Sequence, residues 1–273
     1  MANLTSAIRG VVGQLLAVLN TRNRDVISRR FGLKTGGKET LESIGQSYGI
    51  TRERVRQIEE VALKQIRENF RAGAGSKIKP FIVLAENILD QAGGVIKEED
   101  LFAKFSGTNK ESPANAALIF FLILDGEFKR FAEDNNFFTF WSLSDGYTES
   151  FRKSVSTFID ALEKNKAPIA EPAVVDFYEK SGALTKSVSP STIASYLAIS
   201  KNIGKNVFGQ IGLTSWPDIK PRGVKDKAFL VLKKCGSPKH FREITQMINT
   251  ASFCSRKANT QTVHNELIKD KRF

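Results

Sequence analysis

The sequence predicts a mainly α-helical protein, in which a helix-turn-helix domain is followed by tandem winged-helix modules, each with three helices and a β-hairpin wing. Apolar residues recur at helical spacing through most of the 273 residues, which indicates a succession of amphipathic helices. Gly and Pro residues separate these helical stretches into short groups. After one group of three, alternating aromatic residues flank a polar turn, and this pattern is typical of a β-hairpin.

The helix-turn-helix begins with a short amphipathic helix. Leu41, Ile44 and Tyr48 have the spacing of a single helical face. Thr40 is the predicted N-cap, because its hydroxyl can accept from a free backbone N–H of the first turn. Gly49 is predicted to end the helix, since glycine readily adopts the left-handed conformation found there.

The second helix is predicted to carry the DNA-reading side chains. Thr51 is its expected N-cap, and its buried stripe is predicted to contain Val55, Ile58, Ala62, Leu63 and Ile66. The outward residues of its first turns are Arg52, Glu53, Arg56 and Gln57. Arg can contact guanine with two hydrogen bonds, Glu can accept from cytosine N4, and Gln can pair with adenine. A solvated, charged helix face is the alternative interpretation.

Residues 19–70 resemble region four of bacterial sigma-70-type factors, the domain that recognises the promoter −35 element. The resemblance rests on the motifs RNRDVISRRFGL at 22–33, TLESIG at 40–45 and ITRERVRQIE at 50–59. It implies that Arg52, Glu53 and Gln57 read bases, and that Arg56 contacts DNA or a neighbouring protein. The residues implied to line the DNA backbone are Arg22, Arg30, Thr40, Leu41, Glu42, Thr51, Arg54 and Lys64.

Two partners follow from this resemblance: double-stranded DNA and bacterial RNA polymerase. Docking on the polymerase beta flap is expected through an amphipathic helix at 4–19 and its neighbours. Four residues after Gln57 the family usually has Lys, whereas this chain has Val61. One contact to DNA or to an activator is therefore expected to be missing.

Beyond residue 80 a pattern of three helices is predicted three times. The first set has helices at 81–91, 98–105 and 113–124, followed by a hairpin within 128–143. The second has helices at 149–165, 171–180 and 191–200 and a wing at 206–216. The third has helices at 224–235, 241–249 and 259–269, and the sequence stops where a wing is expected to begin.

These patterns divide the chain into five segments. They are a helix-turn-helix domain at 1–72, a linker at 73–80, winged-helix modules at 81–146 and 147–218, and a winged helix with a truncated wing at 219–273. The linker is predicted because the residues before Pro80 are rich in Gly, Ala and Lys without apolar periodicity. The truncated wing indicates either a fragment or a degenerate tail.

The last segment resembles HARE-type winged helices, a family that includes the N-terminal domain of the RNA polymerase delta subunit. HFREI at 240–244 and TVHNEL at 262–267 carry the resemblance, and residues 81–143 resemble the family by layout. Asn and Gln pair well with adenine, which predicts a second DNA surface at Arg256, Lys257, Asn259, Gln261, Thr262, His264 and Asn265. The alternative is that Asn259 caps a helix and His264 is a satisfied side chain.

The net charge of +12 is divided unevenly along the chain. Residues 1–80 hold 15 basic against 7 acidic residues, residues 81–150 hold 5 against 12, and residues 151–273 hold 21 against 10. The basic ends suit DNA, because Lys and Arg neutralise phosphates. The acidic middle would repel phosphates, so we expect it to face protein or to space the two ends apart.

Nothing in the sequence indicates an enzyme, a cofactor, a metal or a small-molecule substrate. Cys235 and Cys254 lack metal-ligand spacing and are predicted to be buried thiols in a reducing cytoplasm. Gly36 and Gly37 lack the context of a phosphate loop. No stretch is long and apolar enough to span a membrane, which favours a cytoplasmic, nucleoid-associated protein.

The aromatic residues Phe137, Phe138, Phe140 and Trp141 are predicted to form the inner face of a wing. A stacking platform for single-stranded nucleic acid is the alternative, which their acidic surroundings disfavour.

These features predict a sequence-specific, sigma-factor-like transcription factor that recognises a −35-like element during transcription initiation. No segment resembles the region that melts the −10 element, so a partial sigma, an anchor on the polymerase and a repressor are all open. The competing hypothesis is a delta-like polymerase accessory subunit, or a protein-interaction module, with weak and non-specific DNA binding.

Overall fold

The computed structural model describes residues 2–71, 73–183, 188–251, 253 and 256–273. It is mainly helical, with small antiparallel sheets. The chain divides into two compact units: Met1–Glu133 with Phe138–Glu149 forms unit 1, and Asp134–Phe137 with Ser150–Phe273 forms unit 2. None of the described helices combines the length and the apolar character that a bilayer-spanning helix needs.

Unit 1 begins with four helices. They are α1 (Ala2–Leu16), α2 (Thr21–Phe31), α3 (Leu41–Tyr48) and α4 (Arg52–Arg71). The first helix ends at Leu16 rather than at residue 19. At this end of the helix, the Arg24 Nε–H donates to the Leu16 carbonyl oxygen at 3.1 Å. The side chain of Asn20 accepts from the backbone N–H of Asn23 and so caps the second helix.

The rest of unit 1 combines three helices with one sheet. Its elements are α5 (Lys79–Gln91), β1 (Val95–Lys97), α6 (Glu98–Ser106), α7 (Pro113–Asp125), β2 (Lys129–Phe131) and β3 (Phe140–Ser142). The strands are antiparallel in the order β1-β3-β2, and Trp141 lies opposite both Ile96 and Arg130. The hairpin predicted within 128–143 is therefore confirmed, whereas β1 was not predicted. Phe140 and Trp141 are buried, as expected for the inner face of a wing.

The segment predicted as a linker contains a short helix. Ala74–Lys77 forms a 3₁₀ helix, and Ile78, which follows it, is 1% exposed. A single buried isoleucine is too little apolar content to produce a periodic pattern in the sequence. The division of the chain into five segments stays a prediction.

One hydrophobic core runs through unit 1. It contains residues of the first helices, such as Leu15, Ile27 and Ile66, together with Phe120 and Phe121 of α7. The rings of Phe31 in α2 and Phe120 are 5.0 Å apart between centroids. Because α7 packs against α1 and α2 as well as α5 and α6, it is buried on nearly all sides.

Unit 2 repeats the arrangement seen after residue 78. Its elements are α8 (Asp145–Asn165, from Ser150 onward), β4 (Ile169–Ala170), a 3₁₀ helix (Glu171–Ala173), α9 (Val174–Lys180), α10 (Pro190–Ile199), β5 (Ile203–Lys205) and β6 (Gln210–Leu213). Its strand order is β4-β6-β5, the same relative order as in unit 1. Three further helices follow: α11 (Val224–Cys235), α12 (Phe241–Thr250) and α13 (Thr260–Lys269).

Two predictions about unit 2 need correction. The second hairpin begins at Ile203 rather than at Asn206, because Asn206 makes the turn. Its Oδ1 accepts from the backbone N–H groups of Phe208 and Gln210, both at 3.0 Å. Cys235 is exposed rather than buried, since it is the last residue of α11. Cys254 lies outside the described residues.

Candidate nucleic-acid interface

Helices α2, α3 and α4 share a small core. Val26, Ile44 and Val55 are fully buried in it, and Leu41, Tyr48, Ile50 and Ile58 pack around them. A Cβ at Gly45 would lie 2.7 Å from the Ile50 carbonyl oxygen, so the turn can approach α3 only because this residue is glycine. The predicted caps are confirmed: Thr40 accepts from the Ser43 N–H, and Gly49 has a φ of 64°.

The start of α4 presents its polar residues outward. The Thr51 hydroxyl accepts from the Arg54 backbone N–H at 3.2 Å, which caps the helix as predicted. Arg52, Glu53, Arg56 and Gln57 are all exposed. Their spacing places them on one surface, opposite the buried Val55. This is the geometry of a helix that is anchored on one side and open to a partner on the other.

Two pairs organise the open face. Arg56 binds Glu53 with Nη2–Oε1 and Nε–Oε2 distances of 2.8 and 2.9 Å, and its Nη1 lies 3.2 Å from Glu60 Oε2. Arg54 Nη1 donates to Gln57 Oε1 at 3.0 Å. The hydrogen bonds from Arg56 lower the pKa of the Glu53 carboxyl, and Glu53 raises the pKa of Arg56. Arg52 has no hydrogen bond or ion pair with another described residue.

The residues predicted to contact the DNA backbone differ in how exposed their side chains are. Arg22, Thr40, Glu42, Thr51, Arg54 and Lys64 are exposed, whereas Arg30 and Leu41 are half-buried. The Arg22 guanidinium lies 5.2 Å from the centroid of the Tyr48 ring. Arg30 is held by Glu59, with an Nε–Oε2 distance of 3.4 Å, and by the Glu39 carbonyl oxygen at 3.3 Å. Val61, where the family has Lys, is 53% exposed.

A polar scaffold behind the interface was missed in the sequence. Arg29 makes two hydrogen bonds to Glu39, at 2.9 and 2.7 Å, and a third to Ser47. The hydroxyl of Tyr48 donates to Asp25 at 2.8 Å. Hydrogen bonding to Arg29 lowers the pKa of Glu39, and burial raises the pKa of Tyr48. The only sequence signal was the charge density of the RNRDVISRR run, which says nothing about pairing.

The second predicted surface gathers around the start of α13. Asn259 accepts from the N–H groups of Gln261 and Thr262 at 2.8 and 3.4 Å, so it is a helix N-cap. Gln261 donates to Asn265 at 3.1 Å. Arg256 and Lys257 are exposed nearby. The His264 ring packs on Phe241 with 4.6 Å between ring centroids, and its Nδ1 is buried without a hydrogen-bond partner among the described residues.

The described residues hold no cluster of three or more His, Cys, Asp or Glu side chains suited to a metal ion. The geometry of α3 and α4 is that of a helix-turn-helix, the class of DNA-binding element that presents the N-terminal turns of its second helix.

Comparison with known proteins shows which family this element is similar to. Residues 15–68 match sigma-70, region 4. The chain is 41% identical over 80 residues to the RNA polymerase sigma factor SigA of Clostridium acetobutylicum, covering 28% of this chain and 20% of that protein. It is 51% identical over 53 residues to SigA1 of Synechococcus elongatus, covering 19% and 13%. The chain thus spans a fifth or less of the length of these relatives.

Proposed function

We propose that the chain is a sequence-specific DNA-binding protein of transcription initiation that recognises a −35-like element in the manner of a sigma factor. The observation that carries the proposal is the exposed set Arg52, Glu53, Arg56 and Gln57 at the start of a helix whose other face is buried. The match of residues 15–68 to sigma-70, region 4 supports it.

In this proposal Arg52 contacts a guanine, because it is the reader that no other described side chain holds. Glu53 accepts from a cytosine N4, and Gln57 pairs with an adenine. Glu53 remains bonded to Arg56 on the DNA, which aims its carboxylate and reduces its repulsion from phosphates. Arg54 releases Gln57 and moves to a phosphate, because an arginine bonded to phosphate gains a charge-assisted contact in exchange.

The backbone set would position the helix in the groove. Arg22, Arg54 and Lys64 supply cations for phosphates, while Thr40 and Thr51 supply hydroxyls at the N-termini of α3 and α4. Leu41 and Glu42 lie in the first turn of α3, where backbone N–H groups face an approaching phosphate. Arg30 can join them only by loosening its contact with Glu59.

Docking on RNA polymerase would use the groove beside α1. This cavity of about 400 Å³ is lined by Ile8, Val12 and Leu16 of α1 and by Leu33, and Pro113 and Ala114 of α7 close one side of it. Arg9 and Lys34 stand at its rim. An apolar helix of the polymerase beta flap is the occupant that we propose, because an apolar groove of this kind fits an amphipathic helix.

We propose that α5–β3, α8–β6 and α11–α13 are winged-helix modules. The repeated element order and the shared strand order support this for the first two. The third helix of the first module, α7, is buried and cannot enter a groove, so this module would support the helix-turn-helix rather than read DNA. In the last module, Gln261, Thr262 and Asn265 are exposed on α13 and would form the second DNA surface.

Selection of bound sites from a random duplex pool, with and without core RNA polymerase, tests the proposal. We expect enrichment of a TTGACA-like half with the free chain or with the polymerase complex, and loss of that enrichment in the Arg52→Ala variant. A pool that stays random in both conditions would contradict sequence-specific recognition.

The same experiment separates a delta-like accessory subunit from a reader. The carboxylate-rich segment at 81–150 favours protein contact, which is the observation behind this second candidate. An accessory subunit would bind polymerase equally well with and without Arg52, and would show only weak, strongly salt-dependent and sequence-blind DNA binding.

A further inference from the structure

A second groove in unit 1 lies away from the residues assigned to DNA. Its volume is about 540 Å³, and it is bounded by Gly75 and Ser76, one side of α5 along its length, the corner between α7 and β2, and the start of α8. Its apolar floor is formed by Ile82, Phe128 and Leu143, which are half-buried, and by Val83 and Tyr147, which are 42% and 43% exposed. Exposed apolar side chains grouped around a concave surface are typical of a protein-binding site.

The position of Tyr147 is held by the backbone. A Cβ on Gly94 would collide with the Tyr147 ring, so the ring lies directly on the glycine. Gly94 has a φ of 83° and its neighbour Gly93 has a φ of 81°, and this left-handed conformation favours glycine. Tyr147 is therefore placed at the groove before any partner arrives.

Four carboxylates line the same groove: Glu86, Asp90, Asp125 and Glu127. Only one cation, Lys79, is among its described lining residues, and no ion pair within 4.0 Å joins it to any of the four. The Oδ2 atom of Asp125 is buried and has no hydrogen-bond partner among the described residues. Burial, with help from Glu127 and Glu86, raises the pKa of Asp125.

We propose that this acidic groove binds a basic amphipathic segment of a partner protein, one that carries Lys or Arg beside aliphatic side chains. The stems of Lys and Arg cover apolar surface while their charged ends reach carboxylates, which matches a floor of Ile82, Phe128 and Tyr147 under a rim of acids. Duplex DNA is excluded by charge, and the apolar floor offers nothing to a hydrated metal ion. This inference does not depend on DNA recognition by α4.

A binding titration with a fluorescein-labelled Lys/Leu helical peptide of about twelve residues tests the proposal on the full chain. The matched probes replace Lys by Glu or Leu by Ser. We expect the Lys/Leu peptide to bind, the Glu analogue not to bind, and the Ser analogue to bind several-fold more weakly. Added salt should weaken binding of the Lys/Leu peptide without abolishing it, because the apolar contacts remain.

The groove variant is the triple substitution Glu86→Gln, Asp90→Asn and Glu127→Gln, and the charge-matched control is Glu99→Gln, Glu111→Gln and Glu149→Gln. Because exposed ion pairs are individually weak and three carboxylates are neutralised together, the groove variant should bind the peptide roughly tenfold more weakly. The control should bind like the wild type. Tyr147→Ser should weaken binding at low and high salt alike, and near-ultraviolet circular dichroism checks that each variant is folded.

Equal weakening by the groove variant and the control would show general charge attraction and overturn the proposal. Equal binding of the Leu and Ser peptides would overturn it as well. Self-association of the wild type that the groove variant abolishes would replace the partner segment by a second copy of this chain. Affinity of the groove variant for a selected DNA duplex reports separately on α4, so failure of one proposal does not imply failure of the other.

Discussion

Two helices of unit 1 each follow a shorter helix but have opposite surroundings. Helix α4 follows α3 across a tight turn and exposes Arg52, Glu53 and Gln57 in its first turns. Helix α7 follows α6 and buries ten of its thirteen residues, including Phe120 and Phe121. Helix α7 packs against α1, α2, α5 and α6, which leaves little of its surface open. In the proposed mode of recognition, a helix can enter a groove only where the fold leaves it open.

The acidic segment at 81–150 also contributes to the hydrophobic core of unit 1. Helix α7 carries no charged residue before Asp125 and shares a hydrophobic core with α1, α2 and α4. Helices α1 and α2, which precede the helix-turn-helix, therefore rest on an apolar helix from the next part of the chain, which adds buried area.

The largest loss of stability is expected from removing an aromatic ring of the buried helix α7. Phe120→Ala should lower the free energy of unfolding by about 3–5 kcal/mol, because it leaves a cavity beside Phe31. Val61→Ala on α4, where the side chain is 53% exposed, should change the free energy of unfolding by less than about 0.5 kcal/mol. Urea unfolding measures both. Similar losses of stability at the two positions would contradict the difference in burial between α7 and α4.

The contact between the helix-turn-helix and α7 can be tested at one glycine. Gly36 has a φ of 90°, and a Cβ there would lie 2.7 Å from the Cα of Ser112, the N-cap of α7. Gly36→Ala should therefore destabilise unit 1 by about 1–3 kcal/mol. Gly37→Ala is the matched control, since the nearest atom to its Cβ would be a Glu111 side-chain oxygen at 3.7 Å. Thermal unfolding that ranks the two variants equally would contradict the contact.

The caps of the two helices should separate stability from recognition. Ser112 accepts from the Asn115 N–H, and Thr51 accepts from the Arg54 N–H, both at 3.2 Å. Each Ala substitution should cost about 1 kcal/mol of stability. Only Thr51→Ala should also weaken binding to a selected duplex, because α4 carries the proposed base-reading residues. A matching loss of DNA affinity in Ser112→Ala would mean that α7 contributes to the interface.

The smallest effect is expected from pH. Bonding to Arg56 lowers the pKa of Glu53 below its ordinary value of 4.5, so the carboxylate stays charged at that pH and the pair is lost only as pH falls through the lowered pKa. Base discrimination should therefore be nearly the same at about pH 7 and about pH 4.5. Electrophoretic mobility shifts with matched and mismatched duplexes measure this. A change in discrimination over that range would show that Glu53 is not held by Arg56.

Local patterns predicted the helices well because their signals lie in neighbouring residues. The caps at Thr40 and Thr51 and the apolar stripe around Val55 depend on spacing alone, and the structure has them as predicted. The strands β1 and β4 escaped prediction, since two or three residues are too few to show alternation.

Long-range packing could not be predicted from the same patterns. The helix at 113–124 was predicted, but its packing against α1 and α2 was not. In the candidate site, the four outward residues were placed by periodicity, whereas the pairing of Glu53 with Arg56 depends on side-chain conformations. The carboxylates of the acidic groove come together only because the turn from α7 into β2 lies beside α5.

Binding of a selected duplex and of its single base-pair variants, by the wild type and by Arg52→Ala, tests the central claim most directly. Lys104→Ala, an exposed cation on α6, is the control. If α4 reads the groove, Arg52→Ala should lose about 1–3 kcal/mol on the selected duplex and stop discriminating at one base pair, while the control changes nothing. Uniform weakening across all duplexes, or no change, would contradict base reading by α4.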